Sequence, residues 1–173
     1  MYRQEKENAF AEPAYYTFVK ENKEWLNSYA VFSALRDHFK TAEFLKWEKV
    51  DGVECSVFSE ALVKKLMKPS GSLYENIYFY IYLQYNLFKQ MSKTKEYAHS
   101  KGVAIKGDIP IGISRCSVEA WQYPHLFNFS QSAGAPPDFF SKTGQNWGFP
   151  TYNWDKMSQD NYLWWKQRLT LFA

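Results

Sequence analysis

The chain has 173 residues, 46% hydrophobic and 20% aromatic, with a formal net charge of +3. That length suits one domain, and the small, dispersed charge excludes a nucleic-acid footprint. No run approaches the ~18 consecutive apolar residues of a membrane span, and the opening MYRQEKENAF lacks the apolar core of a signal peptide.

The first dozen residues are polar and are expected to fray. From Ala14 to Phe39 the pattern is helical: Trp25, Tyr29, Phe32, Leu35 and Phe39 recur at three- and four-residue steps, as one buried helix face requires. Lys40-Thr41-Ala42 should break or kink that helix. Phe44, Leu45 and Trp47 form a short apolar patch, and Asp51-Gly52 is a turn. A second helix is expected from Val53 or Cys55 to Met67, ended by Pro69-Ser70-Gly71. Ser72 and Glu75 have the spacing of a capping box for a long helix over 73–100. The first half of that helix is apolar nearly all round, which predicts burial on more than one side. Gly102 is its expected stop.

The period then changes. Val103-Ala104-Ile105 and Ile109-Pro110-Ile111-Gly112-Ile113 read as one strand region around Gly107-Asp108. A long helix, a glycine and a short apolar strand ending in an acid make the αβ half of a β/α repeat, whose chemistry sits at the carboxyl end of the strand. Asp108 is therefore the leading candidate for a functional acid. Residues 116–121 start a short helix or turn, and Tyr162, Trp165, Leu169 and Phe172 mark a last amphipathic helix. Cys55 and Cys116 show no metal-ligand spacing and read as reduced thiols, which points to the cytoplasm. His38, His99 and His125 are isolated, and no metal site is expected.

Between these helices lies GAPPDFFSKTGQNWGFPTYNW, from Gly134 to Trp154. Pro136, Pro137 and Pro150 forbid a regular helix. Its aromatics and its scarcity of charge do not suit a disordered linker. Phe139, Phe140, Trp147, Phe149, Tyr152 and Trp154 must either pack inward or meet a ligand. Flat rings beside Asp138, Gln145 and Asn146 offer what a sugar surface needs: a face to stack on, with donors and acceptors for hydroxyls. The resulting fold class is mainly α with a little β. One strand cannot make a sheet. Either partner strands hide in segments read as helix, or the chain is a piece of a larger β/α protein.

Several motifs occur together and in order: KGDIPIGI (106–113), Ser117 through Trp121, GAPPDFF (134–140), GQNWG (144–148) and YLWWKQRL (162–169). In this they resemble the 4-α-glucanotransferases of glycoside hydrolase family 77, the amylomaltases or disproportionating enzymes. WLNSYAVFSALRDHF (25–39) and YLQYNLFKQ (82–90) resemble the helical region of the same family. The aromatic stretch is most similar to the branch that includes the plant cytosolic disproportionating enzyme.

The resemblance implies a fragment of a (β/α)8 TIM barrel. It would comprise a helical region at about 14–100, one barrel strand at 101–115, a loop region with an aromatic lid at 116–157, and a helix at 158–173. It implies retaining transfer of α-1,4-glucosyl units between maltooligosaccharides or glucans by two carboxylates about 5–5.5 Å apart, with no cofactor. Asp108 matches the family's acid after the third strand. Phe139 and Phe140 match the aromatic pair of its lid, where many members have Tyr first. Asp138, Gln145 and Trp147 match the remaining positions of that loop. Many members carry a His-Asp pair where this chain has Arg115 and Cys116. The resemblance places the nucleophile and the acid/base downstream of Ala173, beyond the helix that ends this sequence. The segment alone is therefore expected to hold no catalytic residue, to be inactive, and to need the rest of the barrel. An isolated piece would expose edges and self-associate. Two other classes remain as alternatives: a non-catalytic maltooligosaccharide-binding module, and a helical segment that serves only assembly.

Overall fold

The structure is a computed structural model that describes residues 2–170, with the main chain only for Arg3. The chain divides into two compact units between Lys106 and Gly107.

The first unit is built on helices. Helix α1 (Tyr2–Ala11) occupies the residues expected to fray, and α2 (Pro13–Phe39) follows directly. The contact stripe of α1 is partly polar, which is why it does not look amphipathic. Tyr2 packs on the rings of Phe79 and Tyr82 at 5.3 and 5.2 Å, and Lys6 pairs with Glu75 at 2.7 Å. Glu5 accepts from the Tyr82 hydroxyl at 2.7 Å, and Ala9 is buried. These positions recur at the i, i+3, i+4, i+7 steps of one helix face.

Helix α2 ends at Lys40, whose φ of 57° is left-handed. Its buried stripe is Leu26, Ala30, Val31, Ala34 and Leu35, while Trp25 is exposed. Of the large residues that set the periodicity, Phe32 and Leu35 are buried, Tyr29 and Phe39 are half-buried and Trp25 is exposed at the edge of the stripe. The alanines at its centre let another helix approach closely.

A two-stranded hairpin follows, β1 (Lys49–Val50) with β2 (Val53–Glu54), in antiparallel register. Asp51 and Gly52, at φ 50° and 76°, form its two-residue turn, the left-handed pair that matches strand twist. Val53 and Cys55 therefore lie outside the next helix, α3 (Glu60–Leu66), which starts when the Ser59 hydroxyl accepts from Leu62 N. Helix α4 (Tyr74–Ser100) presents Ile77, Ile81, Tyr82 and Tyr85 to the core. Burial runs along one side only; Leu87, Phe88 and Met91 are exposed. The expected capping box does not form. The N-cap of α4 is Leu73, and Ser72 instead donates its amide to Asp51 at 2.9 Å. The C-terminus ends as expected: Gly102 has φ 73°, Val103 N donates to Ala98 O and Gly102 N to His99 O. That is the paired bonding of a glycine-terminated helix.

In the second unit, helix α5 (Val118–Gln122) is capped by the Ser117 hydroxyl. A 3-10 turn at Pro124–Leu126 leads into β3 (Phe127–Asn128). The long stretch read as irregular loop is an antiparallel ribbon with two short ladders. The inner one is β4 (Gly134–Ala135) with β5 (Gln145–Asn146), and the outer one is β3 with β6 (Thr151–Tyr152). Helix α6 (Trp154–Gln159) starts inside the expected loop, and α7 (Leu163–Thr170) replaces the single last helix. Left-handed Asn161 and Tyr162 separate them, and Trp164 rather than Trp165 is the buried tryptophan. The last helix was expected to run to 173. Phe172 and Ala173, the residue beyond which the catalytic carboxylates are expected, lie outside the described residues.

The barrel strand expected at 101–115 has no ladder partner among the described residues. Residues 103–110 lie outside any helix or strand, and Val103, Ile105 and Ile111 are exposed. An extended apolar run becomes a strand only when neighbours accept its hydrogen bonds, and this segment meets none here.

Candidate functional site

The ribbon spanning 127–152 gathers five of the six expected binding residues. Its tip is shaped by Asp138, whose Oδ1 accepts from the amides of Phe140 at 2.9 Å and Ser141 at 2.6 Å. Asp138 N in turn donates to Ser141 O. This is the turn an Asp forms with its own following backbone. Its effect is to drive two rings outward. Phe139 and Phe140 are 93% and 91% exposed, edge to face at 5.4 Å.

On the returning limb, Trp147 is 45% exposed and stacks on Phe149 at 5.8 Å with 29° between the rings. Gly148 between them is left-handed, with φ 79°, and the two rings on either side of it stack into a shelf. Gln145 Oε1 accepts from the Trp147 indole at 2.9 Å, fixing the tryptophan and leaving the Gln145 amide N–H groups for a ligand. Tyr152 turns inward, while Trp154 is itself exposed. The Tyr152 ring packs among Trp154, Trp164 and Trp165, and burial pushes its phenol pKa up. The choice between inward and outward rings is thus split within one stretch.

An open cleft of ≈ 570 Å³ lies between residues 110–115 on one side and 147–149 on the other. Gly112 is required there: a Cβ at that position would stand 2.3 Å from the Phe149 ring. The Tyr152 hydroxyl donates to Ile111 O at 3.0 Å, tying β6 to the segment that lines one side of the cleft. Asp108 stays apart. It is exposed, its Oδ1 accepts from Ile109 N at 3.0 Å, and it does not line the cleft.

One residue that sequence reading noted only as a departure has a defined place. The Arg115 guanidinium donates to Gly148 O at 2.8 Å, Phe129 O at 2.6 Å, Gln131 O at 2.6 Å and the Ser132 hydroxyl at 3.0 Å. No local pattern could have announced this, because every partner is a loop oxygen distant in sequence. Among the described residues no group of His, Cys, Asp and Glu could hold a metal ion.

The family model for 4-alpha-glucanotransferase, glycoside hydrolase family 77, matches residues 1–172. The chain belongs to family 77. It is 44% identical over 173 residues to the 4-alpha-glucanotransferase DPE2 of rice, an alignment that covers all of this chain and 18% of that protein. It is 40% identical over 145 residues to the 4-alpha-glucanotransferase of Chlamydia trachomatis, covering 84% of this chain and 26% of the relative. Among solved structures, it is similar to the amylomaltase of Streptococcus agalactiae in complex with acarbose, with a TM-score of 0.75 and 33% identity. That likeness covers 90% of this chain and 31% of the amylomaltase. The chain therefore spans between about a fifth and a third of the family 77 proteins it matches.

Proposed function

We propose that this chain is the lid-bearing segment of a 4-α-glucanotransferase that passes α-1,4-linked glucosyl units between maltooligosaccharides or larger glucans by retaining double displacement. The observation that carries the reading is the ribbon itself. Its turn holds Phe139 and Phe140 almost fully exposed, and Trp147 forms a shelf beside a cleft. Exposed rings flanked by Gln145 and Asp138 suit the apolar faces and hydroxyls of a sugar. The similarity to an amylomaltase solved with acarbose supports a glucan-type ligand.

In this chemistry one carboxylate attacks the anomeric carbon while a second protonates the leaving oxygen, and the second then activates the acceptor's 4-hydroxyl. On this reading neither carboxylate is supplied by these residues, and both come from the part of a (β/α)8 barrel downstream of Ala173. Asp108 and the ribbon hold sugar near them. Transfer outcompetes hydrolysis when an acceptor sugar, rather than water, fills the site, and an aromatic flap over the cleft favours that. Two carboxylates suffice, so no metal or organic cofactor is invoked. A cytoplasmic setting fits Cys55 and Cys116, which are not joined in a disulfide.

The test is disproportionation of maltotriose, with and without glycogen. The full-length enzyme should yield glucose and longer maltooligosaccharides, and the 173-residue chain should yield neither. In the full-length enzyme Trp147→Ala should raise KM for maltotriose roughly tenfold, equivalent to about 1.4 kcal/mol of binding. Turnover by the 173-residue chain alone would overturn the assignment of the carboxylates and make Asp108 and Asp138 the pair to replace.

A further inference from the structure

The two ladders of the ribbon do not join. The outer one stops at Asn128 and Thr151, and the inner one begins at Gly134 and Asn146. Between them the inbound limb bulges over 129–132, and its carbonyls at Phe129 and Gln131 turn to a side chain instead of a strand. Arg115 takes both of them, together with the Ser132 hydroxyl and the Gly148 carbonyl of the returning limb. Gly148 has φ 79°, the left-handed conformation that aims its carbonyl at the guanidinium. A cation whose partners are all neutral oxygens, most of them main-chain, is placed to hold backbone rather than to pair with a carboxylate.

Gly148 lies between Trp147, the exposed shelf, and Phe149, which packs on Gly112. The position of the Gly148 carbonyl therefore sets the position of the shelf. We propose that Arg115 is the positioning residue of the aromatic ribbon: beside the backbone bonds of Ala133 with Phe149 and Trp147, it ties the bulged inbound limb to the Gly148 carbonyl and so fixes the angle at which Trp147 and the Phe139–Phe140 tip meet a glucan. This rests on the glucanotransferase reading for its functional consequence, but not for its geometry. The planar fork of arginine reaches both limbs at once. Lysine, a single point charge, can serve only one of them well, and glutamine neither.

Two readouts test this in the full-length enzyme, using Arg115→Gln and Arg115→Lys. By hydrogen exchange, the amides of Ala133 and Trp147, which bond across the ribbon, should exchange at least tenfold faster in Arg115→Gln. Exchange in α4 should stay unchanged, and Arg115→Lys should fall between. Unchanged protection at Ala133 and Trp147, or equal acceleration throughout the chain, would overturn the proposal. By kinetics, Arg115→Gln should lose about 10- to 100-fold in transfer from maltotriose, with a larger share of glucose released to water. Arg115→Lys should recover part of the loss. A loss with the transfer-to-hydrolysis ratio unchanged would also count against positioning. If the unsubstituted enzyme shows no transferase activity, the functional reading falls, and the exchange measurement alone decides the clamp.

Discussion

Asp138 shows how a residue picked for one role can do another. Sequence logic placed it beside the rings as a hydroxyl acceptor, but its Oδ1 is occupied by the amides of Phe140 and Ser141, leaving Oδ2 for a ligand. The turn it closes determines where the two phenylalanines point. Asp138→Ala should therefore speed chymotryptic cleavage after Phe139 or Phe140 by about tenfold, because an open tip samples the extended backbone a protease needs. Asp138→Asn keeps an acceptor oxygen at the same position and should cleave at close to the parental rate. Equal cleavage of all three proteins would mean the turn does not depend on the side chain. The pattern Asp, two residues, Ser, ending at Gly144, is a legible turn signal, so this geometry was available from the sequence. The inward packing of Tyr152 was not, because it depends on Trp164 and Trp165 arriving from another helix.

At the scale of elements, the junction of α1 and α2 offers a pH-dependent test. Glu12 sits at the N-terminus of α2 and accepts from Lys89 at 2.8 Å and from the Tyr85 hydroxyl at 2.6 Å. The hydrogen bonds from Lys89 and then Tyr85 hold its carboxyl below the usual range. A carboxyl lowered on folding adds stability above its unfolded pKa, and that stability is lost as pH falls through the lower, folded value. Glu12→Gln should thus melt below the parent at pH 7, and the gap should close as pH drops below about 4. A gap that stays constant from pH 7 to 3 would show that the charge of Glu12 does not matter. The same junction explains what the sequence withheld. Long helices were legible because Leu, Ile and Tyr recur over many turns, and α2 and α4 lie within a residue of their expected limits. Helix α1 was not, because Lys6 and Glu5 make its contacts through charge and hydrogen bonds. The two-residue ladders were too short for any alternation to show. The capping pattern of Ser72 and Glu75 was present but lost to tertiary competition: Asp51 claims the Ser72 amide, and Lys6 claims the Glu75 carboxylate.

At the scale of the whole molecule, the exposed apolar surface has a pattern. Val103, Ile105 and Ile111 stand exposed on a segment outside any sheet, and Leu87, Phe88 and Met91 stand exposed on the open side of α4. Apolar residues scattered singly on a surface need no explanation, but runs along one extended segment and one helix side do. The extended run also carries backbone donors and acceptors outside any ladder, which another chain can use as a strand template. The chain spans 18% of its rice relative. In the barrel reading, neighbouring strands and helices from the remainder of the enzyme would cover both surfaces. The 173-residue chain by itself should then associate. Sedimentation at rising concentration should show oligomers growing in proportion between about 5 and 200 μM, the range in which exposed edges drive association. Ile105→Lys should weaken this association, because a charge on an unpaired edge opposes strand pairing. It should do so without lowering the thermal midpoint, since Ile105 contributes no buried contact to either unit's core. A chain that stays monomeric across that range and unfolds in one cooperative transition would show that these surfaces need no cover, and would make the segment a self-sufficient domain.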